Sequence, residues 1–380
     1  MSTKFNANTL YTDLMALCSE GDTFYFKDFE YLGRVLRIFN YRLASWTEFQ
    51  KPGALDCRGT TYDITGNPQL ISLPPQKFFN FAEGGVDHDE CVISSAMEKL
   101  DGSLISTMLV NGNLHVKSKG SVYSDQSGDA AYYISYHEEL RIALKMLELS
   151  GYTVSLEYTA PHNRIVVGYQ IPQLRILGIR SLATGEYILP TQIAQVTGVT
   201  VPSEYLVSHG VPEMIPSEFN EYCKQMQEGE GCVVEMHNPT TGLRYLVKCK
   251  ADKYVLLHKQ KDNVNSPRAL FELAAVQGTD DIRSIFVDDK YVQDRITAME
   301  NHVFPILNSI ESQVSKFYAE NKLLERKEYA IKAQCEHPDL MQLMMNTYLG
   351  RIVDYPQFLI KRYSEYKPAW AIETVDDSVE

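Results

Sequence analysis

Up to about residue 260, apolar and polar positions alternate in short runs interrupted by Gly, Asn, Asp and Pro signals, a pattern that predicts antiparallel strands with a few helices between them. After residue 266 the apolar spacing changes to three and four. The stretches 266–276, 292–320, 327–334, 338–349 and 356–366 then read as helices that start near Ser, Asp or Pro. Between the two textures lies a polar, turn-rich stretch at 259–266. The expected fold class is therefore α+β, with an antiparallel-sheet domain over 1–262 and an all-α domain over 263–380. The acidic end, 374–380, is expected to fray.

One hairpin is specified residue by residue. Ser103–Val110 is strand-like, Asn111-Gly112 is the strongest short hairpin turn, and 113–119 returns. Counting back from the turn sets Val110 against Asn113, Met108 against His115, Ser106 against Lys117 and Leu104 against Lys119. Period-two alternation then puts Lys117 and Lys119 on one face, at the end of the ladder near Lys99. A second hairpin joins 231–236 to 243–250 through Asn238-Pro-Thr-Thr-Gly242; Lys248 and Lys250 share a side, and Glu230 sits where the strands part. A third piece runs over 153–158, turns at Pro161-His162-Asn163 and is expected to return as a strand over 165–169, with Glu157 near its end.

A length of 380 residues allows two or three domains. No run approaches the length of an apolar membrane span, and the N-terminus lacks the apolar core of a signal peptide, so the chain reads as soluble and cytoplasmic with no membrane partner. Seven scattered cysteines without a Cys-x-x-Cys pair argue against a disulfide framework or a cysteine zinc knuckle. The net charge of −13 excludes a protein that grips nucleic acid with its whole surface, so a polyanion must meet a local basic patch. Lys117 with Lys119, and Lys248, Lys250, Lys253, Lys259 and Lys261, are the candidates; a solvated charged face is the alternative.

Crowded lysines repel, so one of them loses its proton more readily and can serve as a nucleophile. Neighbouring lysines can neutralise phosphate oxygens as a pyrophosphate departs, and carboxylates can hold the divalent ion that phosphoryl transfer needs. Along the chain stand Asp56-Cys57-Arg58-Gly59, Gln76-Lys77-Phe78-Phe79-Asn80, Glu98-Lys99-Leu100-Asp101-Gly102-Ser103, Lys117-Ser118-Lys119-Gly120, Leu156-Glu157-Tyr158, Glu230-Gly231 and Val247-Lys248-Cys249-Lys250. This ordered set resembles the lysine-dependent nucleotidyltransferase superfamily of polynucleotide ligases and capping enzymes. More closely, it resembles the bacteriophage RNA ligase 1 family, over nearly the whole chain.

The resemblance implies an ATP-dependent RNA ligase using Mg2+ or Mn2+, acting on RNA with 5′-phosphate and 3′-hydroxyl ends such as nicked tRNA. It makes Lys99 the nucleophile that takes AMP from ATP, with Asp101 and Gly102 shaping its loop. Arg58 and Lys77 contact the nucleotide, Lys119 is the basic residue after the hairpin, and Glu157 binds ribose or metal. Glu230 is the carboxylate of a later motif, and Lys248 and Lys250 grip the α-phosphate. Tyr41 lies near the nucleotide. Leu177 and Val233 either sandwich adenine or belong to the core. Tyr254 sits where the family has a tyrosine needed for sealing. Asp280-Asp281 matches an acidic pair tied to metal; a helix N-cap and dipole partner is the other reading. His88, between Asp87 and Asp89, is read as part of a solvated loop. A DNA ligase or capping enzyme would carry a β-barrel after the last lysine motif, where this chain has helical pattern. A non-catalytic RNA-binding relative could discard Lys99, Glu157 and Lys248, which this chain keeps.

Overall fold

Asn111 and Gly112 take left-handed backbone, with φ of 51° and 75°, and close their hairpin in the register that the turn dictates: Val110 faces Asn113, Met108 faces His115 and Ser106 faces Lys117. The hairpin belongs to a computed structural model that describes residues 5–371. The chain divides into two units, one running through Val255 and the other starting at Leu256.

Strands of the first unit are β1 (Phe24–Tyr31), β2 (Arg34–Tyr41), β3 (Thr61–Asp63), β4 (Gln69–Ser72), β5 (Phe79–Asn80), β6 (Val92–Glu98), β7 (Ser103–Val110), β8 (Asn113–Ser118), β9 (Tyr152–Thr159), β10 (Gln173–Ser181), β11 (Tyr187–Ile188), β12 (His209–Gly210), β13 (Gly231–His237) and β14 (Arg244–Lys250). They form three sheets, ordered β1-β2-β3-β4, β11-β10-β9-β7-β8 and β12-β6-β13-β14-β5. Every pairing is antiparallel except the short one between β14 and β5. Helices α1 (Ala7–Ser19), α2 (Asp125–Tyr136), α3 (Glu138–Leu149), α4 (Ile193–Thr197) and α5 (Pro216–Lys224) complete the unit. α2 and α3 lay Ala130, Ile134, Leu140, Leu144 and Leu147 on Val154, Leu156 and Ile176 of the middle sheet, and all of these are buried. Glu148 of α3 is buried there too, where its carboxyl accepts the Thr107 hydroxyl. Burial pushes the Glu148 carboxyl up to about 8.

The third strand pair departs from expectation. Residues 165–169 form no strand; β10 is the partner of β9, and Leu174 faces Tyr158. The apolar run is looped because its backbone is engaged elsewhere: the Val166 and Val167 N–H groups both donate to the Asp101 carboxylate. Lys119 lies just past the end of β8, so the ladder of β7 with β8 stops at Ile105 facing Ser118; on its other side β7 sets Leu104 against Glu157 of β9. His88 is buried, contrary to the solvated-loop reading, because Tyr245 Oη at 2.8 Å and the Phe81 carbonyl at 3.0 Å take both ring nitrogens.

A long helix, α6 (Asp252–Asn265), follows β14, so the stretch read as polar and turn-rich is helical up to Asn265. Its polar composition hides a sparse stripe of Tyr254, Lys261 and Val264, all buried. The helical unit continues with α7 (Pro267–Ala275), α8 (Asp280–Ile285), α9 (Lys290–Asn321), α10 (Arg326–Glu336), α11 (Met341–Tyr348), α12 (Tyr355–Lys361) and α13 (Tyr363–Tyr366). The sequence pattern foresaw these apart from α8, and it read α12 and α13 as one helix. The buried stripe of α9, Val292, Ile296, Met299, Val303, Leu307, Ile310, Val314 and Phe317, keeps the three-and-four spacing that predicts it. The division between the units falls seven residues ahead of the boundary expected at 262. The 374–380 tail lies outside the described residues.

Candidate active site

Three neighbouring strands bring the lysines together. β13 pairs with β6 on one side and β14 on the other, so Val233 faces both Met97 and Lys248. Just past β6, the Lys99 N–H donates to the Gly231 carbonyl at 2.9 Å, and Gly231 faces Lys250. Period-two alternation then points Lys248 and Lys250 to the same face. Glu230, only 1% exposed, receives Lys99 Nζ on one carboxylate oxygen at 2.7 Å and Lys250 Nζ on the other at 2.9 Å.

Lysine crowding has its effect elsewhere in the cluster. Burial, reinforced by Lys99, Arg58, Lys77 and Lys250, lowers Lys248 to about 6. Burial and then Arg58 lower Lys117 to about 7. Lys99, by contrast, rests against a carboxylate. The hairpin register set Lys117 and Lys119 beside Lys99; the charges that act on Lys248 are instead Lys99, Arg58, Lys77 and Lys250, while Lys117 and Lys119 flank the Arg58-Gly59 turn. Gly59 takes φ +89°, and a Cβ there would lie 2.9 Å from the Lys119 carbonyl and 3.3 Å from Lys117 Nζ.

Asp101 holds the Lys99 loop. It is 1% exposed and accepts Val166 N–H and Val167 N–H on Oδ2, each at 2.7 Å, and the Tyr254 hydroxyl on Oδ1 at 2.6 Å. Its own N–H donates to Tyr169 Oη at 3.0 Å. Gly102 follows because nothing larger fits: a Cβ there would stand 2.2 Å from the Tyr158 carbonyl oxygen. The Gly102 N–H donates to Glu157 Oε1 at 3.2 Å, and Ser103 exchanges hydrogen bonds with Asn163. The sequence reading gave no role to Val166, Val167, Tyr169 or Asn163: the two valines act through backbone N–H groups, and the Tyr169 hydroxyl and Asn163 amide meet partners far along the chain.

Aromatic rings line the other wall. Lys77 Nζ lies 5.5 Å from the Tyr41 ring centre, 5.7 Å from Phe49 and 5.9 Å from Phe79, and Lys119 Nζ lies 5.7 Å from Tyr41. Among the described residues Lys77 has no carboxylate partner. Arg58 and Lys248 share the Phe78 ring, at 5.8 and 5.3 Å. The turn before Arg58 is fixed by Asp56, which is buried and bound by Arg180 and Gln76. Leu177 and Val233 meet in one small apolar cluster with Met97, Leu100 and Tyr187. Tyr254 is buried under the Asp101 loop, its ring 5.4 Å from Lys250 Nζ. Asp280 and Asp281 belong to the helical unit, in the first turn of α8. No group of three or more His, Cys, Asp or Glu among the described residues could hold a metal ion unaided.

A family model described as RNA ligase matches residues 56–256, and one described as T4 RNA ligase 1, C-terminal domain, matches residues 261–369. A putative bifunctional polynucleotide kinase/RNA ligase of Autographa californica nuclear polyhedrosis virus is 27% identical over 70% of this chain and 39% of its own length. RNA ligase 1 of bacteriophage TS2126 is 29% identical over 49% of this chain and 49% of its own. A putative RNA ligase of Thermovibrio ammonificans is 23% identical over 78% of this chain and 77% of its own. The chain thus spans half or less of the length of the first two relatives.

Proposed function

The chain belongs to the T4 RNA ligase 1 family, and from that membership we propose that it is an ATP-dependent RNA ligase that joins 5′-phosphate to 3′-hydroxyl ends, its substrate being tRNA cleaved in the anticodon loop. The observation that carries the reading is the pairing of Lys99 and Lys250 on a single buried Glu230, with Lys77, Lys248 and Arg58 around them. That is one nucleophilic amine in a setting built for a polyphosphate.

In this reading Lys99 releases its proton and attacks the α-phosphorus of ATP. A nitrogen–phosphorus bond forms as the bond to the leaving pyrophosphate breaks. The RNA 5′-phosphate then displaces lysine and takes the AMP, and the 3′-hydroxyl attacks that phosphate to expel AMP. Arg58, Lys77, Lys119, Lys248 and Lys250 neutralise phosphate oxygens. Lys248, depressed by burial and its cationic neighbours, takes up a proton when the anion arrives. Tyr41 flanks the nucleotide, and Leu177 and Val233 bracket the base.

Mg2+ or Mn2+ fits the donor set here, because such an ion takes one or two carboxylates and completes its shell with phosphates and water. Glu157 would hold it beside Gly102, with Glu230 a further carboxylate of the lysine cluster. When bound, the ion stabilises charge on the leaving pyrophosphate. Asp280 and Asp281 are assigned a separate metal contact in the helical unit, which reads the folded RNA near its break.

Incubation with radiolabelled ATP and magnesium tests the proposal. The wild-type protein acquires acid-stable AMP, while Lys99→Ala and Lys99→Arg do not, the latter because guanidinium stays protonated. Both variants still seal RNA supplied with a 5′-adenylyl cap. Absence of AMP attachment by the wild type would leave a non-catalytic RNA-binding protein; preference for nicked duplex DNA over a nicked anticodon stem-loop would overturn the substrate.

A further inference from the structure

We infer that Tyr291, Arg295 and Trp370 form a stacking site for unpaired RNA bases in the helical unit, an inference that rests on the RNA ligase reading and places its substrate contact. Tyr291 and Arg295 are four residues apart on α9 and so share one face. The Arg295 guanidinium lies 6.0 Å from the Tyr291 ring centre and 5.3 Å from that of Trp370. Its plane is fixed because Nε donates to the Val264 carbonyl at 2.9 Å and Nη2 to the Asn265 carbonyl at 3.0 Å, two of the acceptors that the end of α6 leaves unpaired. Trp370 is held by a tight turn, in which the N–H of buried Ala371 donates to the Pro368 carbonyl at 2.9 Å.

Charge and exposure distinguish this group from other stacked arginines in the unit. Arg268 lies over Tyr363 but pairs with Glu272, and Arg362 lies over Phe358 but pairs with Glu365. Arg295 gives its hydrogen bonds to neutral carbonyls, and no carboxylate pairs with it among the described residues. Phe271, Phe317, Tyr329, Phe358 and Tyr363 are buried, whereas Tyr291 is 55% and Trp370 41% exposed. Two exposed rings around an immobilised guanidinium that no described carboxylate pairs suit a single-stranded nucleotide: bases stack on the rings or the guanidinium plane while the charge attracts phosphate. Capping of α6 would require only Arg295 and does not account for the exposed rings beside it.

The chain has only two tryptophans, Trp46 and Trp370, so Trp46→Phe leaves Trp370 as the sole tryptophan reporter in the full-length protein. Titration with a short oligoadenylate is expected to quench its emission saturably and less strongly as salt rises. Tyr291→Ala and Trp370→Ala, each checked by thermal melting for an intact fold, are expected to weaken RNA binding roughly 5- to 150-fold while AMP attachment to Lys99 stays unchanged. Unquenched Trp370 in a protein that still seals the same RNA would overturn the site and leave the ligase reading standing. Saturable quenching without AMP attachment would support the site and remove the ligase reading instead. Quenching by an acidic peptide but not by RNA would also overturn the inference.

Discussion

The Tyr254 hydroxyl donates to Asp101 Oδ1 across 2.6 Å, fastening the first turn of α6 to the loop that carries Lys99. Both residues are buried, so Tyr254→Phe strips a hydrogen bond from a carboxylate that water does not readily reach. The variant is expected to lose about 1–3 kcal/mol of unfolding free energy and to attach AMP more slowly, because the Lys99 loop loses a tether. Denaturant unfolding and the rate of AMP attachment measure the two effects. A variant that charges Lys99 at the normal rate yet fails to seal would confine Tyr254 to the later step.

Gly102→Ala makes a sharper test of the same loop. The new methyl group would meet the Tyr158 carbonyl at 2.2 Å, and the obstacle is strand backbone, which cannot swing aside as a side-chain tip can. AMP attachment is expected to fall below detection. Separation of Gly102 from Glu157 should also raise the magnesium concentration needed for any residual activity, as a metal titration would reveal.

Lys248 gives the protein a pH signature. Its folded value of about 6 lies below its ordinary 10.5, so between those limits the unfolded chain carries a proton that the folded chain does not. Its contribution therefore makes stability rise with pH across that window, with a slope of up to about 1.4 kcal/mol per pH unit. Lys248→Met removes this dependence. Its stability advantage over wild type is expected to be greatest near pH 6 and to shrink toward pH 10, whereas AMP attachment is lost throughout. Chemical denaturation at a series of pH values measures the gap; a gap that widened with pH would contradict the burial of a neutral amine.

Glu148 works in the opposite sense. Held at about 8 rather than 4.5, it keeps a proton in the folded state that the unfolded state has released, so its contribution is full below pH 4.5 and fades as pH rises through 8. Glu148→Gln, which stays neutral beside Thr107, is expected to flatten that decline. Melting temperatures of the two proteins at pH 5 and pH 8 should diverge, with the variant ahead at the higher value.

Much of this was legible from local rules. Asn111-Gly112 set a hairpin register because period two admits no half-slip, and the stripe from Val292 to Phe317 identified α9. The order of motifs singled out Lys99, Glu230, Lys248 and Lys250, which the fold places on or at the ends of adjoining strands. What stayed hidden depended on partners far along the chain. Residues 165–169 look like a strand until Asp101 claims their N–H groups, and His88 looks solvated until Tyr245 and Phe81 enclose it. Which lysine sheds its proton likewise follows from burial, which crowding in the sequence does not reveal.

Lys77 and Lys99 differ in what each must surrender before it can touch an anion. Lys99 and Lys250 have to part from Glu230, whereas Lys77, which meets no carboxylate among the described residues, lies beside rings whose attraction is not cancelled when a phosphate joins from the open side. Under the proposed function, capture and release of a nucleotide are expected to depend on different residues, arrival on Lys77 and dwell time on the exchange of partners at Glu230. Replacing Lys77 should slow arrival, and replacing Glu230 should change departure.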